Sequence, residues 1–340
     1  MSISRRRFVT AASAAVPFLL LSRHGFAQGT TLKISHQFPG GTLEQGDFRD
    51  RLCRIFAQEV EKRTKGAVKG QVYAGSSLMK TNAQFSAMRK GALDLSFYPL
   101  SYAGGEVPET NIGLMPGLVP SYDVGSRWKT SDVGKQLDQL MLDKGIVIVS
   151  WIWQAGGAAA RSKPLVGPED AKGMKVRGGS REMDMVLKEA GASVLSLPSN
   201  EIYAAMQTGA MDAALTSSTS LISFRLEELA KHLTTGRGKA YWFMFEPLLM
   251  SKQIFDGLPK DQRDVIMAVG AEMEKIALTA AKADDDAVAG VYQKAGAKVY
   301  DLDEATVKKW QDIARRTAWK EYADKSAENA KLMAAATKLL

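Results

Sequence analysis

The 340-residue chain has few of the side chains that enzymes use for catalysis. It contains one cysteine and three histidines, and His24 lies in an N-terminal segment that is expected to be removed. His36 and His232 stand far apart in unrelated contexts. The sequence has no HExxH, CxxC, GxSxG or GxxxxGK[ST] motif, and no strand–GxGxxG–helix unit. We therefore predict no catalytic residues, no metal site and no cofactor.

The single cysteine excludes an internal disulfide. Cys53 lies in "FRDRLCRIFAQEV", where the apolar residues recur at the spacing of one helix face. We predict that this thiol packs in the core and is not a nucleophile.

Runs of positive charge are also missing after Arg7. The formal charge of +8 includes four arginines within the first 27 residues, a segment without acidic residues. The rest of the chain has 41 basic and 37 acidic residues. So small an excess excludes nucleic acid as a partner.

The N-terminus has the pattern of an export signal. "SRRRFV" precedes an apolar run over 9–21 and the small-residue site "GFAQ". The order of the arginines resembles a twin-arginine signal, with cleavage expected after Ala27, and it predicts a periplasmic location. A basic disordered tail is the alternative.

What the sequence does contain is a repeated strand–helix order. Strands over 31–38, 68–75 and 93–98 alternate with helices near 46–65 and 81–91, which predicts an α/β lobe with a mostly parallel sheet. Ligands collect beyond the carboxyl ends of such strands, here 36–37, 73–75 and 97–102.

The same order then recurs. Strands over 145–153, 174–177, 192–198 and 211–217, with helices over 181–191 and 199–210, predict a second α/β lobe. A helix near 224–233, a long apolar strand over 240–251 and one helix from Pro259 to about Gly296 follow. We predict two lobes joined by crossing strands, with a cleft between them and the long helix spanning both. The expected segments are a signal over 1–27, lobe I mainly over 28–150, lobe II mainly over 151–240, a crossing strand over 241–258, the long helix over 259–295 and a C-terminal segment over 296–340.

One junction in the second lobe favours an anion. In "DAKGMKVRGGSREMDMVL" a short strand ends at Arg177, two glycines and Ser180 follow, and a helix begins. A first helical turn offers free N–H groups and the positive end of its dipole. Arg177 adds a planar cation that fits a carboxylate.

Five stretches in order resemble the DctP-like solute receptors of TRAP transporters. They are "VYAGSSLM" (72–79), "MRKGALDLSF" (88–97), "PEDAKGMKVRG" (168–178), "EIYAAMQTGAMDAA" (201–214) and "LLMSKQIFDGLPKDQRDVI" (248–266). The resemblance implies a periplasmic receptor, not an enzyme, that closes on an organic acid and delivers it to a sodium-coupled membrane transporter. It also implies that Arg177 binds the ligand carboxylate.

The chain departs from the family pattern at two positions. Thr216 stands where many members have an asparagine, so a hydroxyl replaces an amide. Gly157 stands where sialic-acid-type members have a second arginine, and the nearby Arg161 is shifted. Aromatic residues stand where other members have polar or charged ones. We place near the cleft Phe97, Tyr98, Tyr102, Trp151, Trp153, Trp242 and Phe243. For Trp151 and Trp153, packing in the core is an equal alternative.

These features predict a monomeric receptor for a small monocarboxylate, aromatic or hydroxylated. Thr216 and Ser180 would supplement Arg177, and Gln37, or less favourably His36, would bind a polar group of the ligand. Tyr98, Tyr102, Trp153 and Trp242 would form the apolar side. A dicarboxylate or sugar acid is the alternative, which a second cation from Arg161 would favour. A twin-arginine-exported enzyme and a periplasmic partner of a sensor kinase are the alternatives from other classes.

Overall fold

The computed structural model describes residues 29–237 and 240–340. The predicted signal segment, 1–27, lies outside this part of the chain. The strands are β1 (Thr30–Ser35), β2 (Val68–Tyr73), β3 (Leu95–Phe97), β4 (Ile146–Ser150), β5 (Trp153–Ala160), β6 (Lys175–Arg177), β7 (Ser193–Val194), β8 (Ala213–Ser217), β9 (His232–Thr235), β10 (Phe243–Phe245), β11 (Leu248–Ser251) and β12 (Lys298–Asp301).

Helices alternate with the strands as predicted from β1 to β3 and from β6 to β8. They are α1 (Phe48–Arg63), α2 (Thr81–Arg89), α3 (Tyr122–Trp128), α4 (Asp132–Asp143), α5 (Arg181–Glu189), α6 (Ile202–Gln207), α7 (Ser218–Ser223), α8 (Lys252–Asp256), α9 (Lys260–Lys294), α10 (Glu304–Ala314), α11 (Lys320–Asp324) and α12 (Ala327–Thr337). None of the helices within 29–237 and 240–340 combines the length and apolar character that a membrane span requires.

The strands form two mixed sheets, which confirms the predicted two-lobed α/β fold. The first sheet has the order β2-β1-β3-β11-β4, with β1 parallel to β2 and β3, and β11 antiparallel to β3 and β4. The second has the order β12-β9-β5-β8-β6-β7, and β10 also pairs with β5. In this second sheet β5 is antiparallel to both β8 and β9.

Two short connections between the sheets lie where a single long strand was expected, and the segment with α9 forms a third, between β11 and β12. The strand predicted over 145–153 ends at Ser150, and β5 begins in the other sheet at Trp153. The apolar run over 240–251 divides at Glu246 and Pro247, because proline has no N–H to continue a ladder. The two crossings lie side by side, since Glu246 N donates to Ile152 O at 2.9 Å.

Strand β5 was missed because it consists of "WQAGGAAA", which has little of the usual strand composition. The glycines are required by close packing. A Cβ on Gly156 would lie 2.2 Å from Thr216 O, and one on Gly157 would lie 2.1 Å from Thr234 O. Gly157 therefore cannot be replaced by the second arginine of the sialic-acid-type receptors without separating the strands.

The segment after β8 also differs from the prediction. The helix expected near 224–233 is α7 (Ser218–Ser223), which begins directly after β8 with Ser217 as its N-cap. The residues that follow turn into β9, which has only four residues. Ser217, at the end of the buried strand β8, thus caps a helix that begins earlier in the chain than the apolar spacing predicted.

The long helix α9 contacts both lobes, as predicted. Its 35 residues rise by about 52 Å. Its N-terminal half packs on α1 and β4 of the first lobe, where Gly270 allows close contact with the backbone of Val149. Its C-terminal half packs on α7 and β12, and Val288 and Tyr292 enter the core of the second lobe.

Cys53 lies fully buried in the core between α1 and the first sheet. Burial raises the pKa of its thiol well above the ordinary value. The thiol is therefore held neutral, in agreement with a packing role.

Candidate functional site

Arg177 is a buried cation between the two sheets. It ends β6, and its side chain is 1 % exposed. Nε donates to Leu197 O at 3.1 Å, Nη1 to Leu215 O at 2.7 Å and Nη2 to Tyr102 Oη at 2.6 Å. These three bonds use three of its five N–H groups and end on neutral oxygens. Gly179, at φ +98°, makes room for the guanidinium, because a Cβ there would lie 2.8 Å from Nη1.

Tyr102 joins the sheets through its hydroxyl. It follows β3 of the first sheet, whereas both of its donors belong to the second lobe. The Oη atom accepts hydrogen bonds from Arg177 Nη2 at 2.6 Å and from Ser199 N at 3.1 Å. We predicted that Tyr102 forms an apolar wall, but the structure gives its hydroxyl a polar role beside the cation.

Ser180 caps α5 as the sequence suggested. Its Oγ accepts from Met183 N at 3.0 Å and donates to Leu114 O at 3.0 Å. The single hydroxyl proton is thus committed to a protein carbonyl. Ser180 cannot donate to a ligand in this arrangement, contrary to its predicted role as a supplement to Arg177.

Gln37 and Tyr98 lie at the ends of neighbouring strands of the first sheet, β1 and β3. Both side chains are 1 % exposed. Neither the amide atoms of Gln37 nor Tyr98 Oη has a hydrogen-bond partner within the described residues. Buried polar groups are usually paired, so these are the groups that a polar ligand would satisfy.

Thr216 and Trp242 lie on the second-lobe side. Thr216, in β8, is 2 % exposed and stands opposite Gly157 of β5. The Trp242 ring packs over Gly156, and Nε1 donates to Gly178 O at 3.0 Å. Trp242 therefore supports the backbone directly after Arg177.

Trp153 has a different location from the predicted one. Its ring packs against Trp128 at 4.9 Å and Phe245 at 5.1 Å between centroids. Trp151 also contacts Phe245, at 4.7 Å, so the two tryptophans share one face as expected from their spacing. This face belongs to an aromatic core around α3 and borders a separate pocket, which Tyr122 and Glu274 also line.

His36 and Arg161, the alternative ligand contacts suggested by the sequence, are both engaged with other protein groups. His36 Nε2 lies 3.0 Å from Asp50 Oδ1, and its Nδ1 accepts from Phe38 N at 3.3 Å, so both ring nitrogens are occupied. Arg161 N donates to Asp212 O, directly before β8, whereas Thr216 lies near the other end of that strand. The Arg161 guanidinium lies at the turn before β8, since a Cβ on Gly209 would be 3.2 Å from Nη1. Arg161 therefore supplies no second cation at the strand ends where Arg177 and Thr216 lie.

Sequence reasoning missed a second buried cation, Arg49. It lies in the first turn of α1 and is 0 % exposed. Nε and Nη2 donate to the two oxygens of Asp47 at 2.9 and 2.7 Å, and Nη1 donates to Glu246 Oε2 at 3.2 Å. Further bonds reach Ser217 Oγ at 3.3 Å and Ser220 Oγ at 3.0 Å. Burial acts to lower the pKa of Arg49, but the two carboxylates outweigh it and hold the pKa above its ordinary value.

Arg49 connects the lobes, because Asp47 precedes α1 whereas both serines belong to the second lobe. All five of its N–H groups are used by protein acceptors. The only signal in the sequence was "DFR", in which an aspartate N-cap is followed two residues later by arginine, and that pattern is common on exposed helices.

Beyond Tyr102 a cleft of about 510 Å³ separates the first-lobe turn over 101–111 from the start of α5. Its wall includes Asn82, Ser101, Asp184, Lys188 and Leu197. Burial raises the pKa of Asp184 to about 6, although Arg177 opposes the change. The cleft leads from solvent toward the Arg177–Tyr102 contact.

A family model described as "Bacterial extracellular solute-binding protein, family 7", DctP, matches residues 45–326. The chain belongs to this family. The DctP family consists of solute-binding proteins that work outside the cytoplasmic membrane, which confirms the resemblance and the periplasmic location inferred from the sequence.

Individual relatives agree with this assignment. A solute-binding protein of Albidiferax ferrireducens is 71% identical over 97% of this chain and 96% of its own length. The crystal structure of a TRAP periplasmic solute-binding protein from Rhodoferax ferrireducens, with bound malonate, is 73% identical and covers 91% of this chain and 98% of its own, with a TM-score of 0.90. The C4-dicarboxylate-binding protein DctP of Rhodobacter capsulatus is 25% identical over 92% of both chains. The chain is therefore a TRAP-type solute-binding protein.

Proposed function

We propose that this TRAP-type receptor binds a small organic acid between its lobes, with the ligand carboxylate on Arg177. One observation carries the proposal. Arg177 is a fully buried cation whose bonded partners are all neutral oxygens. A buried charge is stable only when it is compensated, and a ligand anion provides that compensation.

The remaining ligand contacts are neutral in this proposal. Gln37 and Tyr98 offer buried donors and acceptors from the first lobe, and Thr216 offers a hydroxyl from the second. Trp242 covers the apolar part of the ligand. Such a site suits a compact acid with one further polar group, because Arg49, the other buried arginine, is already paired with Asp47 and Glu246.

A short dicarboxylate is a second candidate, in place of the hydroxylated monocarboxylate favoured by the sequence. It is supported by the relative that is 73% identical and holds malonate. With Arg177 as the one cation, the second carboxylate of such a ligand would be bound by neutral hydrogen-bond donors.

We also propose the partners, which the family implies, and the export route, which the N-terminal sequence suggests. The loaded receptor would deliver its acid to the sodium-coupled membrane subunits of a TRAP transporter, act as a monomer and catalyse no reaction. The segment "SRRRFV" would direct export of the folded protein through the twin-arginine route. Replacing Arg5 and Arg6 with lysine should retain the precursor in the cytoplasm, and unchanged export would refute this route.

The ligand class can be tested on the purified protein. Acids that bind should raise the melting temperature, whereas their amides and methyl esters should not. Binding of the folded state contributes about 2.7 kcal/mol at a hundredfold excess over Kd. Mass spectrometry of ligand retained through purification identifies the acid. A screen in which neutral sugars or amines stabilise the protein and acids have no effect would refute the proposal.

A further inference from the structure

Glu246 lies in one of the two crossing connections, between β10 and β11, and is 0 % exposed. Its Oε2 atom is held by Arg49 Nη1 at 3.2 Å and by Gln154 Nε2. Its Oε1 atom is buried and has no hydrogen-bond partner within the described residues. An unpaired carboxylate oxygen in the interior is costly, so it requires an explanation.

The charged groups around Glu246 come from several elements. Arg49 and Asp47 face it from the start of α1, and Arg177 faces it from β6. On α9, Asp284 faces Asp47 and Arg49. Burial raises the pKa of Glu246 to about 7, although both arginines oppose the change. The carboxyl group is therefore close to a change of charge at neutral pH.

The free oxygen belongs to the same wall as the unpartnered groups of the first lobe. Tyr98 N donates to Pro247 O at 3.0 Å, which places Tyr98 beside the Glu246 connection. Gln37 follows the end of β1 by two residues, β1 is the neighbour of β3, and β3 is the neighbour of β11. Three adjacent strand ends thus present the unpaired atoms of Gln37, Tyr98 and Glu246.

We propose that Glu246 recognises the polar group of the ligand opposite its Arg177-bound carboxylate: as a carboxylate it accepts a hydrogen bond from a ligand hydroxyl, and with a dicarboxylate it takes up one proton from solvent. This inference rests on the function proposed above and names the ligand chemistry of the same site. Glu246 is thus the residue that distinguishes short hydroxy acids from dicarboxylates.

The difference between the two ligands follows from charge. A hydroxyl group donates its proton to Oε1 without any change in protonation. A second ligand carboxylate would meet the Glu246 carboxylate as a like charge, which favours protonation of one of the pair. The added proton is shared by the pair, which then forms one O–H···O hydrogen bond. The proton comes from the buffer acid, whose bond to it breaks as an O–H bond forms on one of the two carboxyl groups.

Malonate and 3-hydroxypropionate form a matched pair for the test, since a CH₂OH group replaces one carboxylate on the same carbon chain. Calorimetry at pH 8 in two buffers of different ionisation enthalpy measures proton uptake on binding. We expect nearly one proton with malonate and none with 3-hydroxypropionate. The Kd of malonate should rise about tenfold per pH unit between pH 7.5 and 8.5, whereas that of 3-hydroxypropionate should stay constant.

Glu246→Gln should abolish proton uptake with malonate and remove the pH dependence of its Kd. Glu182→Gln is the matched control, because Glu182 is equally buried and burial raises its pKa to about 7 as well. Proton uptake with malonate should persist in that variant. Uptake that survives in Glu246→Gln would overturn the inference, as would malonate binding to the wild-type protein without uptake, a result that needs no variant.

The outcomes separate this inference from the proposed function. If acids bind through Arg177 but neither malonate nor 3-hydroxypropionate is among them, only the role of Glu246 is refuted. If no acid of a broad panel binds in an Arg177-dependent way, the proposed function itself is wrong.

Discussion

The molecule buries two arginines between its lobes and treats them in opposite ways. Arg49 donates all five N–H groups to protein acceptors, including the carboxylates of Asp47 and Glu246. Arg177 donates three N–H groups to neutral oxygens and has no carboxylate among these partners. The first cation is neutralised by protein carboxylates, and we propose that the second is neutralised by a ligand. Burial of an arginine therefore does not by itself indicate a binding role. The charge of its hydrogen-bond acceptors is the more informative property.

The largest expected effect is on stability and comes from Arg49→Ala. The change leaves Asp47 and Glu246 as buried carboxylates without their cation, and removal of one partner of a buried ion pair costs about 3–5 kcal/mol. Chemical denaturation measures the loss in the free energy of unfolding. Arg89→Ala is the control, since Arg89 and its partner Glu106 are both more than one-third exposed. Equal losses in the two variants would contradict the structural role of Arg49.

Arg177→Ala should have the converse effect, with a folded protein that loses ligand. Removing the cation from a desolvated pair costs about 2–5 kcal/mol, or roughly 30- to several-thousand-fold in Kd. Arg177→Lys should recover only part of this loss, because lysine lacks the planar fork. Calorimetry with one acid that binds the wild-type protein measures each Kd.

Arg161→Ala is the matched control for this experiment, since Arg161 stands at the opposite end of β8 and should bind like wild type. If Arg177→Ala binds within about threefold of wild type, another group holds the anion.

Glu246→Gln tests how the carboxylate that pairs with Arg49 affects the pH dependence of stability. The pKa of Glu246 is raised by burial from an ordinary 4.5 to about 7, so its contribution to stability is present below pH 4.5 and lost as pH rises through 7. The wild type should lose about 3 kcal/mol of unfolding free energy over this range from this group. The Glu246→Gln variant should lose less unfolding free energy over the same pH range, because its amide does not titrate. Denaturation curves at pH 4.5, 6 and 8 provide the test, and parallel pH profiles of the two proteins would contradict it.

Tyr102→Phe should have the smallest effect. It removes the acceptor that Arg177 Nη2 and Ser199 N share across the lobes. A hydrogen bond to a charged group contributes about 1.5–3 kcal/mol, and the rest of the site remains. Because the bond joins the two lobes, we expect faster ligand release with little change in the association rate. Stopped-flow kinetics distinguish this from a slower association, which would contradict the assignment.

The sequence predicted the elements whose physical signals are local. Arg177 was found because a strand end, two glycines and a helix N-cap coincide there. Arg49 was missed, because its partners Ser217 and Glu246 are distant in the chain and its helix resembles an exposed one. Strand β5 was missed because glycine and alanine meet a packing requirement that only its neighbours create. Tyr102 was placed near the cleft, but whether its ring or its hydroxyl matters depended on the position of Arg177.

The paired crossings at Trp151–Ile152 and Glu246–Pro247 also determine how the molecule can move. We expect the lobes to bend about the line of these two adjacent connections, while α9 forms a third link between the lobes. Glu246 lies on that line, so its position relative to the connections should change little when the lobes open. Arg177 and Tyr102 lie on different lobes, so their hydrogen bond should break on opening. Glu246 would then distinguish between ligands, and the Arg177–Tyr102 contact would report closure.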